Sequence, residues 1–285
     1  MLGPAEIACR CVSCSTFPRR SSGIRVLLMR HLIIEEPFSE SAIWSRRLAV
    51  FALAVVAMGL VLARLGLDAP AVLAVVGSAI VLACLAVLCA GVATVEIWQT
   101  GRKGVGLLLG GAVLAVLLLA YPAYLAVQAV RLPVLNDIST DTDDPPTYSL
   151  SRKALAARHG WVPPSIPAVS RQAQAAAYPD VEPIYLDLDG DETYQTVLSA
   201  AAARHWKIID SVPPGGRLGY GHVDAIAHGL ILGFADDITI RIWPLAGETR
   251  VDVRSASRIG RHDFGGNAAR IEAFADELKT EAEAK

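Results

Sequence analysis

From Arg254 to Ile271 the chain reads RSASRIGRHDFGGNAARI, which sets four arginines, His262, Asp263 and three glycines within eighteen residues. Three chemistries suit those residue types. Arg254, Arg258, Arg261 and Arg270 beside a helix N-terminus can hold a carboxylate, sulfate or phosphate, since guanidinium forks and free backbone amides both complement an anion. Ser255 or Ser257 with His262 as base and Asp263 as orienter supplies the atoms of a hydrolase. No strand-to-helix elbow of the G-x-S-x-G type accompanies them. Paired with Asp236, Asp237 and Asp263, the same arginines would instead pin a corner between a strand and a helix. The reading carried forward is a non-catalytic anion corner at the four arginines, supported by Asp236, Asp237, Arg241, Asp252, Asp263 and Asn267. An envelope hydrolase using Ser255 or Ser257 with His262 and a purely structural membrane protein are the alternatives.

The elements that position this stretch follow from alternation. Ile238, Ile240 and Ile242 alternate with Asp237, Thr239, Arg241 and Trp243, and Val251 and Val253 alternate with Arg250, Asp252 and Arg254. Each strand therefore has one apolar and one charged face. A turn at Ala246-Gly247 places Ile242 opposite Val251, Arg241 opposite Asp252 and Thr239 opposite Arg254, with Asp237 diagonal to Arg254. Upstream, IYLDL and Trp206 to Val212 read as strands, and Asp189 with Glu192 opens a helix whose Tyr194, Val197, Leu198 and Ala201 share one face. A strand within Leu218 to Leu232 and a closing helix from Asn267 to Lys285, capped by Asp263 or Asn267, complete the pattern. The fold class expected over 184–285 is α+β, an antiparallel sheet covered by helices.

The first half of the 285-residue chain is of another kind. With 53% hydrophobic residues and a mean hydropathy of +0.42, part of the chain belongs in lipid. Leu48 to Leu67, Ala69 to Val95 and Val105 to Val130 are each apolar over the ~20 residues a helix needs to cross a bilayer. Arg64, near the end of the first, can snorkel to the headgroups. Arg46, Arg47, Arg102 and Lys103 flank one side of the spans, so the positive-inside rule puts the N-terminus in the cytoplasm and everything after Val130 in the periplasm of an inner-membrane protein. Gly106 and Gly110 form G-x-x-x-G for close helix approach, and Pro122 is expected to bend the third span.

Residues 1–45 read as a basic cytoplasmic tail, with 1–28 a possible mis-assigned start before Met29. Met1 to Val130 hold ten Lys/Arg against six Asp/Glu, and the remainder sixteen against twenty-two. An acidic second half excludes nucleic acid as a partner, because phosphate backbones need a basic footprint. The partners expected are the bilayer and an anionic ligand, lipid headgroup or envelope protein, with no cofactor. Cys9, Cys11 and Cys14 lack a fourth ligand at zinc spacing, and Cys84 and Cys89 read as small packing residues. Residues 132–183 read as an acidic, proline-rich arm with at most one short helix near Ser151 to His159. Asp137, Asp141, Asp143 and Asp144 on it could gather calcium but lack a calcium-loop spacing. His222 and His228 share a strand face yet stand ~20 Å apart, too far to share a metal.

From Pro133 to Lys285 the chain resembles the membrane-associated family called domain of unknown function 1499. NDISTDTDDPP, AYPDVEP, GFADDITIRI and VDVRSASRIGRHDFGGNAARI carry the likeness. The resemblance implies no established activity, cofactor or catalytic residue. It implies that Asp236-Asp237 and the Arg-Ser-x-Ser-Arg run touch. A threonine is frequent in the family near the position of His228, so a role for that histidine would be particular to this chain.

Overall fold

The computed structural model describes residues 37–216 and 219–284. The Cys9, Cys11, Cys14 motif and the segment before Met29 lie outside them. Three long helices come first: α1 (Glu40–Arg64), α2 (Ala69–Thr100) and α3 (Val105–Arg131). Each is apolar and long enough to cross a membrane by length and composition. Ser39 and Asp68 cap α1 and α2 by accepting from Ala42 N at 3.2 Å and Ala71 N at 3.4 Å.

Where nearly every side chain is apolar, hydrophobicity cannot separate inside from outside, and size does so instead. Ala49, Ala86 and Ala115 form the seam between the three helices, while valines, leucines and Phe51 face outward. The closest backbone approach is at Gly111, where a Cβ would stand 2.6 Å from Ser45 Oγ and 2.7 Å from Arg46 N. This corrects the expectation for the G-x-x-x-G pair: a Cβ on Gly106 would meet nothing within 4 Å, and one on Gly110 only an Arg46 nitrogen at 3.7 Å. The seam lies one residue away, about 100° around the helix. The helix α3 runs on through Pro122, and Cys84 faces outward rather than packing.

The second half is α+β. Six strands form one antiparallel sheet: β1 (Asp137–Ser139), β2 (Ile184–Leu186), β3 (Lys207–Val212), β4 (Gly221–His228), β5 (Ala235–Pro244) and β6 (Thr249–Ser257). Their order is β1-β6-β5-β4-β3, with β2 also on β6, so β1 and β2 share one edge. The helices are α4 (Arg152–Ala157), α5 (Ala168–Ala177), α6 (Gly190–Ala203) and α7 (Gly266–Glu283). The β5–β6 register places Ile242 opposite Val251, Arg241 opposite Asp252 and Thr239 opposite Arg254, as alternation required. One face, built from Val223, Ala225, Ile238, Ile240, Ile242 and Val253, packs against Val197 and Ala201 of α6 and Ile271, Phe274 and Leu278 of α7. Trp206 stacks on Phe274 with ring centroids 4.8 Å apart.

The stretch read from sequence as a solvated arm is largely built into this domain. Ile138, Tyr148, Ala154, Arg158 and Gln174 on it are buried. It also forms two helices rather than one: Pro167 stands at the N-cap of α5, where a proline-fixed φ suits helix entry, and AVSRQAQAAA continues as good helix former. Gln174 closes the exposed edge of β1. Its amide accepts from Ser139 N at 3.1 Å and donates to Ser139 O at 2.6 Å, replacing the neighbour strand that β1 lacks there.

Candidate functional site

The second face of the sheet carries charges where a core would carry leucines. His222, Asp224, Asp237, Arg241, Asp252 and Arg254 all point to it, because each sits at the polar phase of its strand. Residues 140–171 roof this face. Arg158, at the end of α4, is only 1% exposed and reaches down to two strands at once. Its Nε donates to Asp237 Oδ1 at 3.1 Å, its Nη2 to Asp224 Oδ2, and its Nη1 to Ser149 O at 3.0 Å. Arg258 holds the same Asp237 from the other side with two bonds of 2.7 and 2.8 Å. Tyr148 lies between two cations, its ring centroid 4.9 Å from the Arg158 guanidinium and 5.0 Å from that of Arg254.

A second cluster lies toward the β5–β6 turn. Arg241 donates to Asp252 at 2.8 and 3.0 Å and to Asp144 at 2.7 Å, while Arg250 bridges Asp252 and Asp141 at 2.8 and 2.6 Å. Arg254 forms a two-bond pair with Asp137 at 3.0 and 2.7 Å and also donates to the carbonyls of Pro146 and Pro164. Asp237, expected diagonal to Arg254, is thus taken by Arg158 and Arg258 instead. Of the four acids considered for calcium, Asp137, Asp141 and Asp144 each meet a sheet arginine, and no metal-holding group of His, Cys, Asp or Glu occurs among the described residues.

Burial and pairing oppose each other on this face. Burial pushes Asp224 up, but His222, 2.8 Å away, and Arg158 outweigh it and hold the carboxyl below its ordinary value. At Asp141 and Asp210 burial is likewise overcome, by backbone amides and Arg250 at the first and by Ser149 and Ser151 hydroxyls at the second. Burial prevails at Asp137, whose carboxyl is raised despite Arg254. Asp263 is also raised by burial, although it accepts from Gly265 N and Asn267 N.

The four corner arginines are divided among different partners. Arg254 and Arg258 belong to the ionic face. Arg270 pairs with Asp236 and donates to Ser255 Oγ at 3.0 Å and Asn267 Oδ1 at 2.6 Å. Arg261 is exposed and makes no ion pair among the described residues. Asp263 caps α7 rather than meeting an arginine. Ser255 Oγ donates to Asn267 at 2.7 Å and Ser257 Oγ accepts from the same side chain at 3.0 Å, while His262 Nδ1 accepts from Phe264 N at 3.0 Å. No hydrogen bond joins either serine to His262 among the described residues.

Sequence reasoning missed Arg158, Arg171, Tyr148 and Gln174. Arg158 and Arg171 sit in polar, proline-interrupted stretches with no periodicity to mark the first as buried or the second as half-buried. The spacing of His222 and Asp224, two apart on a strand, was a readable signal for a shared face. A cleft of about 430 Å³ opens between roof and sheet beside Tyr148 and Arg254, with Leu150, Val162 and Ile166 as apolar walls and Arg171 at its side. Arg171 donates through Nη1 to the carbonyls of Thr142 and Asp143 at 3.0 and 3.2 Å. It has no carboxylate partner among the described residues, and its buried Nε has no acceptor.

Fold and site together define a protein with three apolar, membrane-length helices followed by an antiparallel α+β domain whose sheet has one greasy and one ionic face. Residues 137–278 match the family model described as protein of unknown function (DUF1499), and the C-terminal domain belongs to that family. No curated protein matches the chain.

Proposed function

We propose that this protein is an inner-membrane-anchored binding module whose C-terminal domain lies in the periplasm and takes an anionic ligand without catalysis. The orientation follows from Arg46, Arg47, Arg102 and Lys103, which gather at one end of the helices. The binding reading rests on Arg171, a cation that among the described residues has no carboxylate partner and whose buried Nε lacks an acceptor, at the side of an apolar-walled cleft. Arg254, Arg258 and Arg270 already have carboxylates, so an anion gains less from them than the sequence alone suggests. The ligand class is an organic anion, with an acidic head for Arg171 and an apolar body for Leu150, Val162 and Ile166.

The reading is tested by titrating octanoate into the full-length protein in nanodiscs. Binding weakened about tenfold by Arg171→Gln, one charge-assisted hydrogen bond's worth, and unchanged by Arg261→Gln is the expected result. Equal binding by the wild type and Arg171→Gln ends it. A reporter enzyme active only outside the inner membrane, fused after Lys285, checks the compartment and has to be active.

A further inference from the structure

A second cavity, of about 600 Å³, opens where the domain meets the end of the first long helix. Its lining includes Arg64, Arg204, His205, His228 and Arg270 and contains no aspartate or glutamate. Among the described residues, Arg270 is the one of these arginines with a carboxylate partner, Asp236. Arg64 is spent on backbone carbonyls, donating to Leu230 O at 2.7 Å and Ile231 O at 3.4 Å. Arg204 donates to Ala273 O at 3.2 Å and lies over the Trp206 ring, and its buried Nε has no acceptor. Two guanidinium groups thus share one open concavity with no carboxylate partner among the described residues, and an anion entering it could accept charge-assisted hydrogen bonds from both. His205 adds a built feature at the rim. It closes α6 in the left-handed region, φ 57°, where glycine is the unstrained choice, while Trp206 N donates to Ala201 O.

The position of the cavity says where the anion comes from. Arg64 is the last residue of α1, so it marks the level at which the apolar helix leaves hydrocarbon. It lies at the same end as Arg131, where α3 passes into the domain. The β4–β5 connection touching Arg64 reads GLILGF, and Leu230 at its tip is 90% exposed. An apolar hairpin tip beside a row of cations is the pattern of a surface that dips into a bilayer while its charges meet the headgroups.

We propose that this cavity binds a phosphate group carried by an anionic phospholipid, with Arg64 and Arg204 on the phosphate and the Leu230 tip against the acyl chains. The proposal rests on the reading that the three helices cross a bilayer, and it is independent of the cleft beside Arg171. Native mass spectrometry of the full-length protein, titrated in detergent with phosphatidylglycerol, phosphatidylcholine or inorganic phosphate, tests it. Retention of phosphatidylglycerol over phosphatidylcholine, weakened about tenfold or more in Arg64→Gln plus Arg204→Gln and unchanged in Arg171→Gln, is the expected result. Arg64→Gln alone, which alters only contacts to a loop, has to show part of the loss, so the outcome does not hang on how well the double variant folds. Equal retention of the two lipids, retention that survives the double substitution, or a response to inorganic phosphate alone overturns it.

Discussion

The two faces of the one sheet solve the same problem with opposite chemistry. Beneath α6 and α7, Ile238, Ile240, Ile242, Val251 and Val253 are removed from water together with Phe274 and Leu278. Each large side chain buried there stabilises by roughly 1.5–3 kcal/mol and asks only for the right volume. On the other face, Arg158, Asp224, Asp237 and Asp252 are buried to the same degree. There the gain from pairing is largely offset by the cost of desolvating each ion, so this face contributes geometry more than net stability. The difference is one of tolerance. The apolar face accepts change in proportion to the volume lost, whereas the ionic face accepts removal of a matched set far better than removal of one member.

Acid acts chiefly on the ionic face, and it is the largest expected effect. Asp141, Asp210 and Asp224 have folded values below the ordinary 3.8, so the stability they contribute is complete above that value and lost as pH falls through the folded values beneath it. Asp137 and Asp263 have the opposite sign. Their raised carboxyls hold protons more tightly when folded, and the stability from that is present below 3.8 and lost as pH rises through their folded values. Denaturation midpoints followed from neutral pH downward in detergent therefore stay level or rise slightly before a steep fall that begins only below pH 3.8. A steep fall starting above it would mean that the carboxylates are not held as the ionic face requires.

The sharpest single-residue contrast sets Arg158→Met against Phe274→Ala. Losing Arg158 leaves Asp224 without its guanidinium and Asp237 with Arg258 alone, at a cost of about 3–5 kcal/mol. Phe274→Ala costs about the same by opening a cavity. What separates them is rescue. Adding Asp224→Asn to Arg158→Met recovers a substantial part of the loss in urea unfolding, because the orphaned charge goes with its partner. No such second change exists for Phe274, and strictly additive losses in the Arg158–Asp224 pair would contradict the comparison.

The same contrast governs how far the amino-acid sequence alone reveals each face. The apolar face was legible because strand period and helix period are both written in isoleucine, valine and leucine, and the β5–β6 register followed from alternation alone. The charged face was legible only up to its strands. Arg241 with Asp252 came from cross-strand register, but Asp141, Asp144 and Arg158 meet the sheet across loops whose path no local pattern encodes. The arm looked solvated because its aspartates and prolines resemble a linker in composition. Its burial depends on arginines about a hundred residues further on. The helix seam at Gly111 was missed for a related reason: when all sides of a helix are apolar, a spacing of glycines does not say which one meets a neighbour.

Gln174→Ala sharpens the comparison at the edge both faces share. The buried amide is the partner of both backbone polar groups of Ser139, and its loss orphans a donor and an acceptor at the end of β1. An unsatisfied buried group costs about 1–3 kcal/mol. The loss should appear first as faster amide hydrogen exchange at Ser139, with exchange at Ile240 little changed. Uniform acceleration across the sheet would show that β1 is not a separately opening edge.

The smallest effect is expected at Asp144, and it sets the limit of the ionic network. Its carboxylate sits 2.7 Å from Arg241, but the side chain is 78% exposed, whereas that of Asp252 on the same guanidinium is 1% exposed. Water screens the first pair and is excluded from the second, so Asp144→Asn should cost no more than about 1 kcal/mol. Its neighbouring carbonyl still accepts from Arg241 at 3.0 Å, and Asp141 still accepts the Asp144 amide at 2.9 Å, so the roof keeps its path. Raising salt should erase most of the difference between Asp144→Asn and the wild type while leaving the Arg158→Met deficit in place. A deficit at Asp144 as large and as salt-resistant as that at Arg158 would mean that the roof closes over Arg241 more tightly than its exposure indicates.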